Sequence, residues 1–327
     1  MSQNKVFVTR ELPAAALDRL AQHCELDVWG EFLPPDYAIL LKKAQSLSGL
    51  LCLLTDRVDA RLLAAAPQLK VLSNMAVGYD NIDVAEASAR GIPVGNTPGV
   101  LTETSADFAF ALLMAAARRI PEAQRYIKQG KWQTWHPTVL SGRDIYGACL
   151  GILGFGRIGQ AVARRASGFG MRILTHSRGG SEERILAAGA EPCGLDELLR
   201  QSDFVSLHLP LTESTRHFIG ARELSLMKPS AILINTARGG VIDQAALYEA
   251  LRERAILAAA LDVTDPEPIP LDNPLLRLDN CLVVPHIASA SVATREKMAQ
   301  MAVDNCIAGL RGERLPTCVN PEVYASR

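Results

Sequence analysis

Arg238, Glu267 and His286 are the side chains best suited to chemistry in this chain. Each follows an apolar run that reads as a strand. Residues 231–235 precede Thr236-Ala237-Arg238-Gly239-Gly240, 258–262 precede Thr264-Asp265-Pro266-Glu267, and 281–284 precede Pro285-His286-Ile287. Ligands of open α/β sheets gather outside the carboxyl ends of strands, so this shared position predicts one common edge. Reducing a carbonyl requires a proton for its oxygen, which an imidazolium supplies near neutral pH. A neighbouring carboxylate favours the charged ring. A guanidinium can clamp a substrate carboxylate and polarise the adjacent carbonyl. Together the three fit a 2-oxo acid. Singly, each has a plainer role: an Arg before Gly-Gly can cap a helix, a Glu between prolines can sit in a solvated turn, and a His after Pro can bond within its loop.

The reductant is suggested by Leu150-Gly151-Ile152-Leu153-Gly154-Phe155-Gly156-Arg157-Ile158-Gly159. A strand runs into G-x-G-x-x-G and a helical pattern follows, the arrangement that cradles a dinucleotide pyrophosphate. Gly154 permits the turn, Gly156 lets phosphate approach, and Gly159 lets helix pack on strand. Arg157 and Ile158 open the helix, whose N-terminus attracts anions. The next strand, 171–176, ends in Ser177-Arg178 instead of the acid that binds a ribose 2′-hydroxyl. Glu182 and Glu183 come only after the glycines. A guanidinium grips a 2′-phosphate, so NADPH is expected, held by Ser177 and Arg178, with NADH as the alternative. Pro210, Thr215 and Thr236, in the segments after two later strands, are assigned to the same cofactor. His208 reads as a packed strand-end residue.

A third group is Ala76-Val77-Gly78-Tyr79-Asp80, after a strand at 70–74. A glycine there lets backbone N–H groups converge on an anion. Val77 and Gly78 are candidate ligands for the substrate carboxylate, opposite Arg238; the alternative is an ordinary turn.

Strands and helices alternate throughout, which predicts α/β architecture with parallel sheets. Strands are expected near 5–9, 50–54, 70–74 and 92–95, then near 149–154, 171–176, 204–208, 231–235, 258–262 and 281–284. A long apolar helix is expected from Thr102 to Arg119, with Thr104 and Asp107 in capping-box spacing or Thr102 as the cap. The last helix, 291–310, comes too late to cross back into the second sheet, so it should return to the first domain. Residues 1–98 and 291–327 then form a substrate domain and 99–290 the nucleotide domain, with a cleft between. The 327 residues carry a net charge of −1, which offers neither nucleic acid nor membrane a basic face. Seven scattered cysteines without C-x-x-C argue for reduced thiols in a cytoplasm and against a zinc site. No metal is expected.

Taken together, Val77-Gly78-Tyr79-Asp80, Asn96-Thr97-Pro98, Gly154–Gly159, Asn235-Thr236-Ala237-Arg238-Gly239, Leu261-Asp262-Val263 and Pro285-His286-Ile287 resemble the D-isomer-specific 2-hydroxyacid dehydrogenases over nearly the whole chain. The resemblance implies a Rossmann domain and a smaller flavodoxin-like domain. It implies that Arg238 binds substrate, Glu267 orients a histidine and His286 donates the proton. Asp262 then contacts the nicotinamide carboxamide and Thr104 lies near the cofactor. Ser177-Arg178, Trp132-x-x-Trp135 and Pro285–Ala290 are most similar to glyoxylate/hydroxypyruvate reductases. In those, the residue matching Trp135 reaches the active site of a neighbouring subunit, which implies a homodimer. Ser289 and Trp135 join Val77, Gly78, Arg238 and His286 as substrate contacts. Val77 stands where phosphite dehydrogenases have lysine, and Ala288 where many relatives have glycine. Another 2-oxo acid, such as 2-ketogluconate, is one alternative; a non-catalytic NAD(P)-sensing corepressor is another.

Overall fold

The computed structural model describes residues 4–177, 179 and 182–325. The chain divides into two compact units, Met1–Leu101 with Ser291–Arg327, and Thr102–Ala290.

In the first unit, strands Lys5–Val8 (β1), Glu25–Val28 (β2), Gly49–Cys52 (β3), Val71–Asn74 (β4) and Val94–Gly95 (β5) form a parallel sheet in the order β2-β1-β3-β4-β5. That is the flavodoxin-type order. Helices Ala14–Ala21 (α1), Tyr37–Ala44 (α2), Ala60–Ala64 (α3) and Val84–Ala89 (α4) connect the strands. Strands β3 and β4 are buried along their whole length, as expected of parallel strands covered on both faces. Asp59 and Asp83 cap α3 and α4 by accepting from Leu62 and Glu86 N–H groups.

The second unit begins with Thr102–Ala117 (α5) and Ile120–Lys128 (α6). Strands Cys149–Leu153 (β6), Arg172–His176 (β7), Glu191–Pro192 (β8), Phe204–Leu207 (β9), Ile232–Asn235 (β10), Ala258–Leu261 (β11) and Cys281–Val283 (β12) follow. Their connecting helices are Arg157–Gly168 (α7), Glu182–Ala187 (α8), Leu195–Gln201 (α9), Ala221–Leu226 (α10) and Gln244–Arg252 (α11). The parallel sheet runs β12-β11-β10-β9-β6-β7-β8, the Rossmann order with one strand added at its end. The order reverses beside β6, where the glycine loop emerges. Alternate side chains fill separate cores, Ile152, Phe204 and Ile234 on one face and Leu153, Val205 and Leu233 on the other.

The final helix, Val292–Leu310 (α12), belongs to the first unit. Ser73 Oγ donates to the Ala302 carbonyl at 2.8 Å. A Cβ on Gly309 would lie 2.4 Å from Val71, so only glycine lets helix and sheet approach this closely.

Several elements differ from expectation. β2, α2 and the two-residue β8 were not anticipated. The chain enters the second unit at Thr102, slightly beyond residue 99. Thr104 is not a cap, because α5 already begins at Thr102. Asp107 instead pairs with Arg165 of α7 at 2.6 Å. Among the described residues, no helix is long and apolar enough to cross a membrane.

Candidate active site and cofactor cradle

The three glycines after β6 meet three different steric demands. Gly154 adopts φ +94°, in the left-handed region, and a Cβ there would lie 2.5 Å from the His208 carbonyl oxygen. Its N–H donates to the His176 carbonyl at 3.0 Å, tying the turn to β7. A Cβ on Gly159 would lie 2.2 Å from the Gly154 oxygen, so helix α7 seats on the loop only with glycine. Gly156 faces open space, with nothing within 4 Å of a Cβ. A turn, a packed contact and one bare backbone face suit a pyrophosphate laid on the helix N-terminus. Arg157 and Ile158 start that helix, Arg157 exposed and Ile158 packed on the core.

Other strand ends on this sheet carry matching chemistry. The Thr236 hydroxyl, just past β10, is buried with no hydrogen-bond partner among the described residues, which suits a polar group of a cofactor. The Thr215 hydroxyl accepts from Thr212 N–H at 2.8 Å and donates to the Pro210 carbonyl at 2.6 Å. It therefore shapes the 210–215 turn and leaves Pro210 exposed. Ser177 is half-buried beyond β7, whereas Arg178 lies outside the described residues. Thr104 occupies the first turn of α5. Burial pushes the His208 imidazole down to about 4, so this ring is neutral at pH 7. Ser206 Oγ lies 2.9 Å from its Nε2.

The structure brings Glu267 and His286 together. His286 Nδ1 lies 2.8 Å from Glu267 Oε2, which leaves Nε2 as the other working nitrogen. Glu267 Oε1 accepts from Thr264 N–H at 3.1 Å, so both carboxylate oxygens are engaged. His286 itself sits at φ +52°, an uncommon conformation for a residue with a side chain. Asp262, at the end of β11, holds it there. The His286 N–H donates to the Asp262 carbonyl at 2.9 Å, and the Asp262 carboxylate accepts from Ile287 and Ala288 N–H groups at 2.7 and 2.9 Å. Only 1 % of Asp262 is exposed. Burial raises its carboxyl pKa while the two N–H groups lower it. Ala288 takes no left-handed angle, so this loop has no need of glycine there. Ser289 follows on the same turn, half-buried.

Arg238 leaves β10 in a loop braced by Asn235. Asn235 Nδ2 donates to the Arg238 carbonyl at 2.9 Å, and its Oδ1 accepts from Ala237 N–H at 3.0 Å. A Cβ on Gly239 would lie 2.0 Å from the Thr264 backbone. Gly239 thus lets the Arg238 loop press against the loop that carries Glu267.

In the first unit, three successive carbonyls after β4 are tied back. The Ala76 oxygen accepts from Thr97 N–H at 2.9 Å, the Val77 oxygen from Asn96 Nδ2 at 2.9 Å, and the Gly78 oxygen from Asn74 Nδ2 at 3.0 Å. In a trans peptide the N–H points opposite to the carbonyl. The N–H groups of Val77, Gly78 and Tyr79 therefore point away from these partners. The amides of Asn74 and Asn96 were not singled out as site residues from the sequence. Their polarity at the ends of buried strands was the available clue.

Comparison with known proteins decides the family. Residues 110–288 match the pattern described as D-isomer specific 2-hydroxyacid dehydrogenase, NAD binding domain. A glyoxylate reductase of Korarchaeum cryptofilum is 55 % identical over 324 residues, covering 99 % of this chain and 98 % of its own. The chain belongs to the D-isomer-specific 2-hydroxyacid dehydrogenases. As such it is an NAD(P)-dependent oxidoreductase. A Thermus thermophilus protein of known structure aligns at 46 % identity with a TM-score of 0.90, covering 96 % of this chain and 99 % of that one. The NADPH-dependent glyoxylate/hydroxypyruvate reductase of Sinorhizobium meliloti, solved with NADP and malonate, aligns at 35 % identity and a TM-score of 0.87, covering 98 % of each chain. Trp135 of this dehydrogenase is 79 % exposed in the single chain, on the loop after α6.

Proposed function

We propose that this dehydrogenase reduces glyoxylate to glycolate and hydroxypyruvate to D-glycerate, with NADPH preferred over NADH. The observation that carries the reading is the bonded His286–Glu267 pair at the end of a nucleotide-binding sheet. The glyoxylate reductase of Korarchaeum cryptofilum supports the substrate, and the NADP-bound reductase of Sinorhizobium meliloti supports the cofactor.

When bound, the nicotinamide supplies a hydride to the carbonyl carbon. His286 delivers a proton from Nε2 to the carbonyl oxygen, and Glu267 holds the ring by Nδ1. Arg238 pairs with the substrate carboxylate and polarises the carbonyl beside it. Val77 and Gly78 offer N–H groups to the same carboxylate, and Ser289 lines the substrate. Gly154, Gly156, Arg157, Ile158 and Gly159 receive the pyrophosphate. Thr104, Pro210, Thr215, Thr236 and Asp262 line the rest of the cofactor, and Ser177 with Arg178 binds its 2′-phosphate. The active form is a homodimer in which Trp135 serves the neighbouring subunit. All seven cysteines are free, which fits the reducing cytoplasm.

Oxidation of NADPH, followed at 25 °C against a panel of 2-oxo acids, tests this reading. Glyoxylate and hydroxypyruvate should give the highest kcat/KM. A larger acid such as 2-ketogluconate turning over faster, or no turnover with any acid, would overturn it.

A further inference from the structure

The second unit encloses a cavity of about 580 Å³ at the amino-terminal edge of its sheet, where β11 and β12 begin. Arg238, Glu267 and His286 follow the carboxyl ends of strands, so the cavity lies on the opposite edge. Four arginines line it, Arg119, Arg125, Arg143 and Arg254. Among the described residues no lysine joins them, and the only carboxylates are Glu122 and Asp279. Glu122 holds Arg119 through both oxygens, at 2.8 and 2.9 Å, and Asp279 holds Arg125 at 3.1 Å. Among the described residues no carboxylate lies within ion-pair distance of Arg143 or Arg254. Asp203, which also feels the charge of Arg143, is paired with Lys228 at 2.8 Å.

The backbone around the cavity is unusual. Five non-glycine residues among those described adopt a left-handed φ, and Arg119, Leu140 and Arg254 are three of them, at +52°, +54° and +59°. Arg119 and Arg254 each stand two residues beyond a helix, α5 and α11, where glycine is the usual residue. Leu140 leads into Ser141 and Gly142 on the cavity wall. A Cβ on Gly142 would lie 2.2 Å from the Ala117 carbonyl oxygen, which accepts from Arg143 N–H at 2.8 Å. The segment bearing Arg143 is thus pinned to the end of α5. Strained backbone of this kind persists where side chains must be held in place, as at His286. Basic side chains also complement the partial negative charge of a helix carboxyl end. Two such half-charges and two carboxylates still leave four guanidiniums in excess. On α6, Glu122 and Arg125 face the cavity, on the side opposite Ile120 and Ile127. Association through those isoleucines therefore leaves the cavity open. We propose that it is an anion site, separate from the cofactor cradle, for a small polyanion carrying two or more phosphate or carboxylate groups. Guanidiniums grip such groups with paired hydrogen bonds, and the volume is that of a metabolite pocket.

The test is calorimetric titration of inorganic pyrophosphate, and separately of citrate, into enzyme saturated with NADPH and oxalate, so that the glycine loop and Arg238 are occupied. At least one probe should bind at one site per chain with Kd below about 1 mM at about 0.1 M salt, and more weakly as salt rises. Tighter binding of pyrophosphate supports a phosphate-bearing ligand at this site, and tighter binding of citrate a polycarboxylate. Arg254→Gly gives the left-handed position its usual residue. It should melt within about two degrees of wild type yet weaken the probe about tenfold or more. Arg143→Gln, which keeps the side-chain length, should weaken the probe in the same way. Both variants should keep wild-type kcat and NADPH affinity. No binding of either probe would overturn the proposal. Binding that survives both variants would also overturn it, and a lowered melting point in Arg254→Gly would then assign that residue to the helix end alone.

Discussion

His286 and Glu267 form a unit in which geometry, more than charge alone, sets reactivity. The ring is held by Glu267 at Nδ1, and its backbone is held at φ +52° by Asp262. His286→Asn removes the proton donor and should lower kcat by about 10²–10⁴-fold with NADPH affinity little changed. Glu267→Gln preserves the shape but weakens the hold on the ring, so kcat should fall by less than in His286→Asn. Initial rates alongside fluorescence titration of NADPH measure both effects; parallel loss of cofactor binding in His286→Asn would remove the role assigned to this ring. His208 makes a separate case. Burial holds its imidazole at about 4 in the fold, against about 6.5 in an unfolded chain. Between those values the unfolded chain binds the additional proton. Stability is therefore fully present above about pH 6.5 and falls toward pH 4, by at most about 1.4 kcal/mol per unit. Urea midpoints of wild type and His208→Gln should converge in slope above pH 7 and diverge below pH 6. Identical pH dependence would exclude His208 as the source.

The β6–α7 turn separates folding from binding within one short motif. A Cβ on Gly159 meets the Gly154 oxygen at 2.2 Å, so Gly159→Ala should destabilise the unit by about 2 kcal/mol or more. A Cβ on Gly156 meets nothing within 4 Å, so Gly156→Ala should melt like wild type yet bind NADPH at least about tenfold more weakly. Thermal melts with and without NADPH distinguish the two; equal destabilisation by both would show that Gly156 packs against protein after all. This motif was legible because strand, glycine spacing and helix all lie in one run of sequence. The same holds for the buried strands, whose apolar runs announce them. β2 was not legible because it is an edge strand, where Glu25-Leu26-Asp27-Val28 alternates between exposed and half-buried. β8 is two exposed residues, too short for any pattern. At the site, Arg238, Glu267 and His286 could be read from residue type and strand-end position. The grip of Asp262 on the His286 turn could not, since it depends on β11 lying beside β12. The amides of Asn74 and Asn96 likewise gain meaning only once β4 and β5 pair.

As a single chain the protein leaves several apolar side chains exposed within residues 120–135. Helix α6 buries none of its residues, Ile120 and Ile127 are exposed, and Trp132 and Trp135 on the loop beyond are 62 % and 79 % exposed. Exposed aromatic and branched aliphatic side chains grouped this way mark an association surface. Sedimentation should therefore give about twice the 35.3 kDa chain mass, and Ile127→Glu should shift the protein toward monomer. A monomeric wild type at micromolar concentration would exclude the dimer. Trp135 permits a sharper test, because a residue that serves the neighbouring subunit can be supplied in trans. Trp135→Ala should raise KM for 2-oxo acids while leaving the mass unchanged. His286→Asn should be nearly inactive. In a mixed dimer, the site that keeps His286 receives Trp135 from the His286→Asn subunit and is complete, whereas the other site carries both defects. Mixing the two variants, with exchange of subunits, should then restore substrate affinity at about half of the sites in mixed dimers. If Trp135 acts only within its own subunit, no complete site can form, and the mixture will show nothing beyond the sum of its parts.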